Sequence, residues 1–176
     1  MNKNTKIIVA ILVAGALGWL AFGFFGIQSL FINQEVNEDI PESVSKLIAD
    51  GSGAGQELVG QGSFQQGDST YTISGNAYLS RIEGKLNLTF TDFDVTNGPN
   101  LYVYAVKADS TENATVKEAV AKEDFISLGT LKGNIGNQNY VLEKDFDPEE
   151  YQVISIWCQR FSRNFGTVKL AAEAAE

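Results

Sequence analysis

The chain contains a single cysteine, Cys158, within the apolar stretch VISIWCQRF that covers residues 153–161. If this stretch forms a strand, alternate side chains share a face, so Cys158 and Arg160 lie on one side. Trp157 and Phe161 then lie on the other. A cation near a thiol lowers its pKa and favours the reactive thiolate, which makes Cys158 a redox candidate supported by these three neighbours. The competing interpretation is that a free cysteine following two isoleucines packs as a small core residue.

A lone thiol restricts the redox chemistry to a few reactions. It can be oxidised to a sulfenic acid, form a mixed disulfide with a partner protein, or ligate a metal or haem iron axially. Because the chain has no second cysteine, an internal dithiol–disulfide cycle and a multi-thiolate metal site are excluded. Electron hopping through Trp157 and nearby tyrosines is a further hypothesis, which rests on residue type alone.

The absence of histidine excludes a second group of site chemistries. A Ser-His-Asp triad, a Cys-His dyad and His-ligated zinc all require that residue, so we assign no catalytic residues and favour a protein that is not an enzyme. The formal net charge is −9, from 13 Lys and Arg against 22 Asp and Glu. Such an acidic chain lacks the basic surface that nucleic acid requires, and we expect no nucleic-acid partner.

Two polar motifs offer weaker candidate sites. Asp92 and Asp94, in the stretch TDFDVTNGPN, are weak candidates for calcium ligands because carboxylates suit that ion. Their spacing is not that of an EF-hand loop, and the Asn-Gly-Pro run favours a β-turn, so we predict a turn rather than a metal site. Glycosylation sequons occur at Asn113 and Asn87, and Asn113, in a polar loop, is the preferred acceptor if the source glycosylates exported proteins.

The N-terminal segment is strongly apolar. Residues 7–27 contain no strongly polar side chain, which predicts a transmembrane helix that anchors the chain in the cell membrane. Lys3 and Lys6 precede this run, so the positive-inside rule places the N-terminus in the cytoplasm and the remainder outside. The competing interpretation, a cleaved signal peptide, is less favoured because the run exceeds the usual signal core. An outer interfacial belt is predicted from four aromatic residues, Trp19, Phe22, Phe24 and Phe25.

The rest of the chain divides by composition. Residues 1–32 are the predicted cytoplasmic tip and anchor, and residues 33–57 an acidic stalk with a short helix in PESVSKLIAD. Residues 58–170 contain short apolar or alternating runs separated by Gly, Asn and Asp, at the spacing of an antiparallel sandwich. The sequence therefore predicts an all-β fold, an antiparallel β-sandwich of about eight to nine strands, preceded by the transmembrane helix. Residues 171–176 are predicted to be a flexible tail.

Several stretches together resemble one known family, the DM13 domain. They are FDVTNGPNLYVYAV at 93–106, LGTLKGNIGNQNYVL at 128–142 and YQVISIWCQRFSRNFGTVKL at 151–170, with LVGQGSF and YTISGNAYL as its opening strands. The likeness spans about residues 58–170. It implies a β-sandwich distantly similar to DOMON domains, a secreted or membrane-tethered setting, and a redox or electron-transfer role centred on the family's cysteine, here Cys158.

The resemblance leaves the molecular partners open. The cofactor is unknown, haem and other redox groups remaining candidates, and the predicted partner is a redox or cell-surface protein. The alternative function is a non-enzymatic binding or adhesion module at the cell surface, in which Cys158 is only structural. Accessibility of the sulfur distinguishes the two interpretations.

Overall fold

The computed structural model describes residues 2–20, 23, 32–50, 52–53 and 55–171, and its strands form two antiparallel sheets. One sheet has the order β1-β2-β4-β5-β8 and the other the order β3-β10-β9-β6-β7, with bounds β1 (Ser52–Gly53), β2 (Gln56–Ser63), β3 (Gln65–Gln66), β4 (Ile73–Ile82), β5 (Lys85–Val95), β6 (Leu101–Val106), β7 (Phe125–Thr130), β8 (Gln138–Val141), β9 (Val153–Cys158) and β10 (Arg163–Lys169). The predicted β-sandwich is confirmed. The described residues form ten strands, slightly more than predicted. The additional strands are β1 and β3, which have only two residues each.

The core lies between the two sheets, where alternate side chains of the strands meet. On β5, Leu86, Leu88 and Phe90 are all buried there. Phe64 packs edge-to-face against Phe90, with 5.1 Å between the ring centroids. Burying a side chain of this size contributes about 1.5–3 kcal/mol, so the alternating pattern of β5 specifies which of its faces turns inward.

The second sheet is covered on its outer face as well, by helix α3 (Asn113–Ala121). Val116 and Ala119 of this helix are buried in a cluster that includes Tyr104 and Trp157. All six residues of β9 are therefore buried, since the strand has protein on both sides. This explains why VISIWC is almost continuously apolar instead of alternating with polar residues.

The N-terminal helix α1 (Lys3–Trp19) follows Asn2, whose side chain accepts a hydrogen bond of 2.9 Å from the backbone N–H of Thr5. Its 17 residues reach about 25 Å at 1.5 Å each, against roughly 30 Å for a hydrocarbon core. Within the part of the chain that the structure describes, no helix is both long and apolar enough to cross a membrane. The predicted transmembrane span over residues 7–27 is therefore wrong, as is the single-pass location in the cell membrane that depended on it.

The physical reason for this correction is the length of the α-helix. Hydropathy counts consecutive apolar residues and carries no information on how many of them one α-helix contains. Trp19 is the last residue of α1, although the predicted span continues to residue 27. The rest of the predicted aromatic belt lies outside the described residues: Phe22, Phe24 and Phe25.

Residues 32–40 lie against the sandwich, in a region where the sequence predicts an acidic stalk; this segment is here named the strap. The backbone N–H of Val36 donates to the carbonyl of Ile135 at 2.9 Å, and that of Glu38 donates to the carbonyl of Asn137 at 3.0 Å. The strap thus pairs, like a short strand, with the loop that precedes β8.

Helix α2 (Glu42–Asp50) follows the strap, within the segment PESVSKLIAD for which the sequence predicts a short helix. Its apolar side chains Val44 and Leu47 are almost completely buried. Val44 N–H donates to the carbonyl of Pro41 at 2.9 Å, so Pro41 begins the first turn. The chain between residues 32 and 50 is therefore attached to the domain at the strap and at α2.

Candidate redox site

Cys158 is the last residue of β9, in the row of side chains that points between the sheets. It belongs to the same core cluster as Ile154 and Ile156, and it is 0% exposed. The strand alternation expected for these three residues is thus observed. Its cross-strand neighbours are Leu101 on β6 and Arg163 on β10. The thiol therefore lies at the end of the central strand, where the sandwich closes under surface turns.

The sulfur of Cys158 has polar contacts that favour opposite charge states. Its S–H donates to the carbonyl of Pro99, with 3.1 Å between Sγ and O, which holds the neutral thiol. Burial raises the thiol pKa above its ordinary value. The backbone N–H groups of Phe161 and Arg160 and the Arg160 guanidinium lower the pKa and only partly offset burial. The thiol is consequently the resting form, with donors already in place for a thiolate.

The three supporting residues have separate locations. Because β9 ends at Cys158, Arg160 lies in the turn that joins β9 to β10, so the expected shared strand face does not extend to it. Trp157 points to the outer face, and its ring lies 6.3 Å from that of Tyr104 at an interplanar angle of 20°. Phe161 is 49% exposed in the same turn as Arg160. Of these side chains, only that of Arg160 influences the thiol electrostatically.

Arg163, a second cation near the thiol in sequence, has a different partner. Its guanidinium Nη1 lies 3.8 Å from Oδ2 of Asp68. That oxygen is buried and has no hydrogen-bond partner among the described residues. Arg163 therefore compensates a carboxylate on the outer side of the second sheet, and it is absent from the groups that shift the Cys158 pKa.

A surface turn of residues 97–100, here named the cover turn, lies against the sulfur through the Pro99 carbonyl. The carbonyl of Asn100 accepts a 3.1 Å hydrogen bond from the backbone N–H of Gln159, next to the cysteine. Gly98 lies so close to Phe165 that a Cβ there would be 2.7 Å from the ring. Asn100 has φ +63°, a left-handed conformation that asparagine tolerates. A turn is thus present, but at Pro99 and Asn100 rather than at Asn97 and Gly98, and it contacts Cys158 through the Pro99 carbonyl.

A cavity of about 210 Å³ lies beside the cover turn. Its lining combines three parts of the chain: the strap, the cover turn with the start of β6, and the end of β7 with the loop that follows it. The lining residues are Ile32, Gln34, Asn97, Gly98, Asn100, Leu101, Thr130, Leu131, Gly133 and Asn134. Cys158 does not line it. Ligand pockets are usually about 300–1,000 Å³, and the sulfur is held against the Pro99 carbonyl, so an axially ligated haem does not fit the site as it stands.

The calcium candidates are not brought together with further ligands. Asp92 and Asp94 are exposed on β5, and the Asp92 backbone N–H donates to Oδ1 of Asn137 at 3.1 Å. Across the residues that the structure describes, no group of three or more carboxylate, thiol or imidazole side chains is placed to hold a metal ion. The region instead supports the loop on which the strap lies.

The two sequons differ in how firmly their amides are held. Asn113 begins α3, and its Nδ2 donates to Oδ1 of Asp68 at 2.7 Å while its Oδ1 accepts from Nδ2 of Asn164 at 3.0 Å. Asn87 lies half-buried on β5, and its Nδ2 makes a 3.3 Å bond to the carbonyl of Lys85. Asn113 therefore has a structural role that the sequon alone does not indicate.

Sequence reasoning did not identify Pro99 or the strap as parts of the site. Pro99 is 59 positions from Cys158, and Gln34 is 100 positions from the Asn134 side chain that it contacts. The glycines of LKGNIGNQNY could have indicated that another segment packs on this loop, because Gly133 and Gly136 leave space for the strap backbone. A Cβ at Gly136 would clash with the Val36 carbonyl oxygen, so this position of the loop favours glycine.

The fold and the site define a class of protein: a two-sheet β-sandwich with one thiol at the end of its central buried strand. The model of the electron transfer DM13 family matches residues 63–170, which is more than half of the chain. The chain therefore belongs to the DM13 family, as its sequence motifs predict, and this membership indicates a redox or electron-transfer role. Neither the curated proteins nor the solved structures contain a match to the chain.

Proposed function

We propose that this domain transfers electrons by thiol chemistry at Cys158 with a partner protein. One observation carries the proposal: the buried sulfur contacts the carbonyl of a surface turn at Pro99, and the backbone N–H groups of Arg160 and Phe161 lower the pKa of the thiol against the effect of burial. A purely apolar core position does not need donors for a negative sulfur. Once the Pro99 carbonyl has moved away, these donors lower the free energy of the thiolate, so that the thiol can ionise.

The reaction is an exchange with a disulfide of the partner. When the cover turn moves, the thiol releases its proton to solvent, and the Arg160 guanidinium and the two backbone N–H groups stabilise the thiolate. The thiolate attacks one sulfur of the partner disulfide; that S–S bond breaks, a new S–S bond to Cys158 forms, and the departing thiolate takes up a proton from solvent. A second thiol must come from the partner, because this chain has only one.

The test uses the purified full chain. It is incubated with an aromatic disulfide reagent at several pH values, and mixed-disulfide formation is followed by mass spectrometry and by the absorbance of the released thiolate. We expect one adduct per chain in the folded protein, lost in the Cys158→Ser variant. Reaction only at the rate of global unfolding, measured separately in urea, excludes Cys158 as a redox group.

The second candidate function is a binding module in which Cys158 is structural. The complete burial of the thiol favours it, and so does a groove of about 300 Å³ beside Val141, which is 74% exposed. Apolar side chains at an open sheet edge are typical of protein-binding surfaces. This candidate predicts that Cys158→Ser retains every partner that the native chain binds, whereas electron transfer through the thiol predicts loss of the covalent partner.

A further inference from the structure

The strap lies outside the segment that defines the family, yet it contacts that segment closely. The family match begins at residue 63, whereas the strap ends at residue 40. Besides its backbone pairing with Ile135 and Asn137, the backbone N–H of Gln34 donates to Oδ1 of Asn134 at 2.7 Å, and the Gln34 carbonyl accepts from the Asn134 N–H at 3.0 Å. The strap therefore precedes the segment that matches the family and is docked on that segment.

The strap also reaches the cover turn directly. Oδ1 of Asn33 accepts a 2.6 Å hydrogen bond from Nδ2 of Asn97, the first residue of the cover turn. The same oxygen accepts from Nδ2 of Asn134 at 3.3 Å, and Asn134 Nδ2 also donates to the carbonyl of Val95 at 3.2 Å. Asn134 is only 6% exposed. Through these hydrogen bonds its side-chain amide connects the strap, the loop on which the strap docks and the strand that leads into the cover turn.

The opposite side of the cover turn contacts the thiol. Pro99 accepts from the Cys158 sulfur, and Asn100 accepts from the backbone of Gln159. A continuous series of contacts therefore runs from Asn33 through Asn97 and Pro99 to Cys158. The strap lies on the outer end of this series and the sulfur on the inner end.

We propose that the strap is a latch: docked, it holds the cover turn closed over Cys158, and undocked, it lets the turn open and the thiol react. The functional role of the latch rests on the proposed function, because controlled access matters only if Cys158 reacts. The latch itself is a property of the fold. Every strap side chain is exposed or only partly buried. Segments with few buried apolar contacts open locally at a lower free energy than the whole domain unfolds, so the latch can release while the sandwich stays folded.

Gly133→Ala is the variant that releases the latch most selectively. A Cβ at Gly133 would lie 2.5 Å from the Gln34 carbonyl oxygen and 2.8 Å from Cγ2 of Val36, both on the strap. Unlike Gly136, this residue has no left-handed backbone, so the substitution adds a clash with the strap and no strain in the loop. Asn33→Ala is the second variant, because it removes only the exposed acceptor of Asn97 and Asn134.

The matched control is Gly62→Ala, in which the new Cβ would meet the Lys169 carbonyl within a similar short distance, between β2 and β10. For all four full-length proteins, three quantities are measured: the rate at which a maleimide labels Cys158, hydrogen exchange of the Gln159 amide, and the urea midpoint. In both strap variants, we expect maleimide labelling of Cys158 and hydrogen exchange of the Gln159 amide to be about tenfold faster than in the native chain. A tenfold change corresponds to the loss of one or two hydrogen bonds. The urea midpoints of the strap variants should change less than that of Gly62→Ala.

The outcomes separate the latch from the redox proposal. If neither strap variant accelerates exchange at Gln159, or if each does so no more than Gly62→Ala at equal global stability, the latch is refuted. If the strap variants speed labelling but Cys158 still fails to exchange with a disulfide, the latch stands and the redox function is rejected. Faster exchange at Gln159 without faster labelling refutes the link between the cover turn and the thiol.

Discussion

The sulfur of Cys158 and the carbonyl oxygen of Pro99 lie 3.1 Å apart, although 59 residues separate them in the chain. The contact follows from the second sheet, in which Leu101, at the start of β6, lies opposite Cys158 at the end of β9. The cover turn that precedes β6 is thereby placed on the thiol. A negative sulfur cannot donate to a carbonyl, so any ionisation of Cys158 must displace Pro99.

The first prediction concerns stability at alkaline pH. Because burial raises the pKa of Cys158 above its ordinary value of 9.0, the unfolded chain loses this proton at a lower pH than the folded one. The stabilisation is fully present below pH 9 and is lost as the pH rises through the folded pKa, at about 1.4 kcal/mol per pH unit between the two pKa values. The measurement is the free energy of unfolding in urea, compared between the native chain and Cys158→Ser from about pH 8 to pH 11. A constant difference between the two proteins contradicts the prediction.

The second prediction is that Arg160→Gln raises the pKa of Cys158 further. The guanidinium lowers this pKa, whereas the backbone N–H of residue 160, which also lowers it, remains in the variant. Since the side chain is exposed, we expect a change of less than about one pKa unit. The pH dependence of the labelling rate measures it, with Arg163→Gln, whose guanidinium faces Asp68, as the control that leaves the profile unchanged.

The third prediction is that Asn113→Asp destabilises the fold more than Asn87→Asp. The first change replaces a donor with a carboxylate 2.7 Å from Oδ1 of Asp68, and we expect a loss of about 1–3 kcal/mol. Asn87 contacts only the Lys85 carbonyl at 3.3 Å among the hydrogen bonds described for its side chain, so its change should cost less. Urea unfolding at pH 7 compares the two. Equal losses would show that Asn113 is an ordinary surface asparagine.

The parts of this protein that the sequence predicts are those set by local pattern. Alternation along β5 and the apolar run of β9 predict the sandwich and place Cys158 in one row with Ile154 and Ile156. The partner of its sulfur is not predictable in this way, because the Pro99 contact depends on how β6 and β9 align. Hydropathy similarly does not give the bounds of α1, which has Trp19 as its last α-helical residue within a longer apolar run.

Docking of the strap is a second feature that composition conceals. An acidic segment between two helices is typical of a solvated stalk, and its pairing depends on a loop about 100 residues later in the chain. The charge of Glu38 in fact helps to bind it, since Oε1 lies 2.7 Å from the Lys132 ammonium and Oε2 accepts from the Asn139 N–H at 2.8 Å. The information was present in the sequence only as a set of glycines and amides in that loop.

The fourth prediction is that acid loosens the strap. The hydrogen bond from Lys132 lowers the pKa of Glu38 below its ordinary value of 4.5, while burial opposes this and the Asn139 contacts add to it. A carboxyl with a lowered pKa stabilises the folded form above pH 4.5, and this contribution disappears as the pH falls through its folded pKa. Both side chains are about one-third exposed, so we expect less than about 1 kcal/mol.

Protection of the Asn139 amide against hydrogen exchange measures this effect from pH 6 down to pH 3, approximately. We expect protection to fall with pH in the native chain and to be low and nearly constant in Glu38→Gln. Glu35→Gln, a change elsewhere on the strap, is the control and should behave like the native chain. If protection of the Asn139 amide in the native chain is the same at about pH 3 as at pH 6, the backbone pairing alone holds the strap.

The fifth prediction concerns Gln138, a fully buried amide beneath the loop that receives the strap. Its Oε1 accepts from the Lys132 N–H at 3.1 Å and from the Tyr140 hydroxyl at 2.9 Å, and its Nε2 donates to the Gly133 carbonyl at 2.8 Å. Gln138→Leu removes these partners at nearly constant volume, which should cost about 2–4 kcal/mol because buried groups lose their hydrogen bonds. Urea unfolding measures the loss, and Gln65→Leu, an exposed glutamine on β3, should change stability by less than about 0.5 kcal/mol.

The same variant tests whether the loop shapes the latch. Gln138 holds Gly133 in the position that accommodates the Gln34 backbone, so its loss should also undock the strap. We therefore expect Gln138→Leu to label Cys158 faster than a variant of equal global stability in which the loop is intact, such as Gly62→Ala brought to the same stability with urea. If labelling follows global stability alone in both proteins, Gln138 supports the sandwich but has no part in controlling access to the thiol.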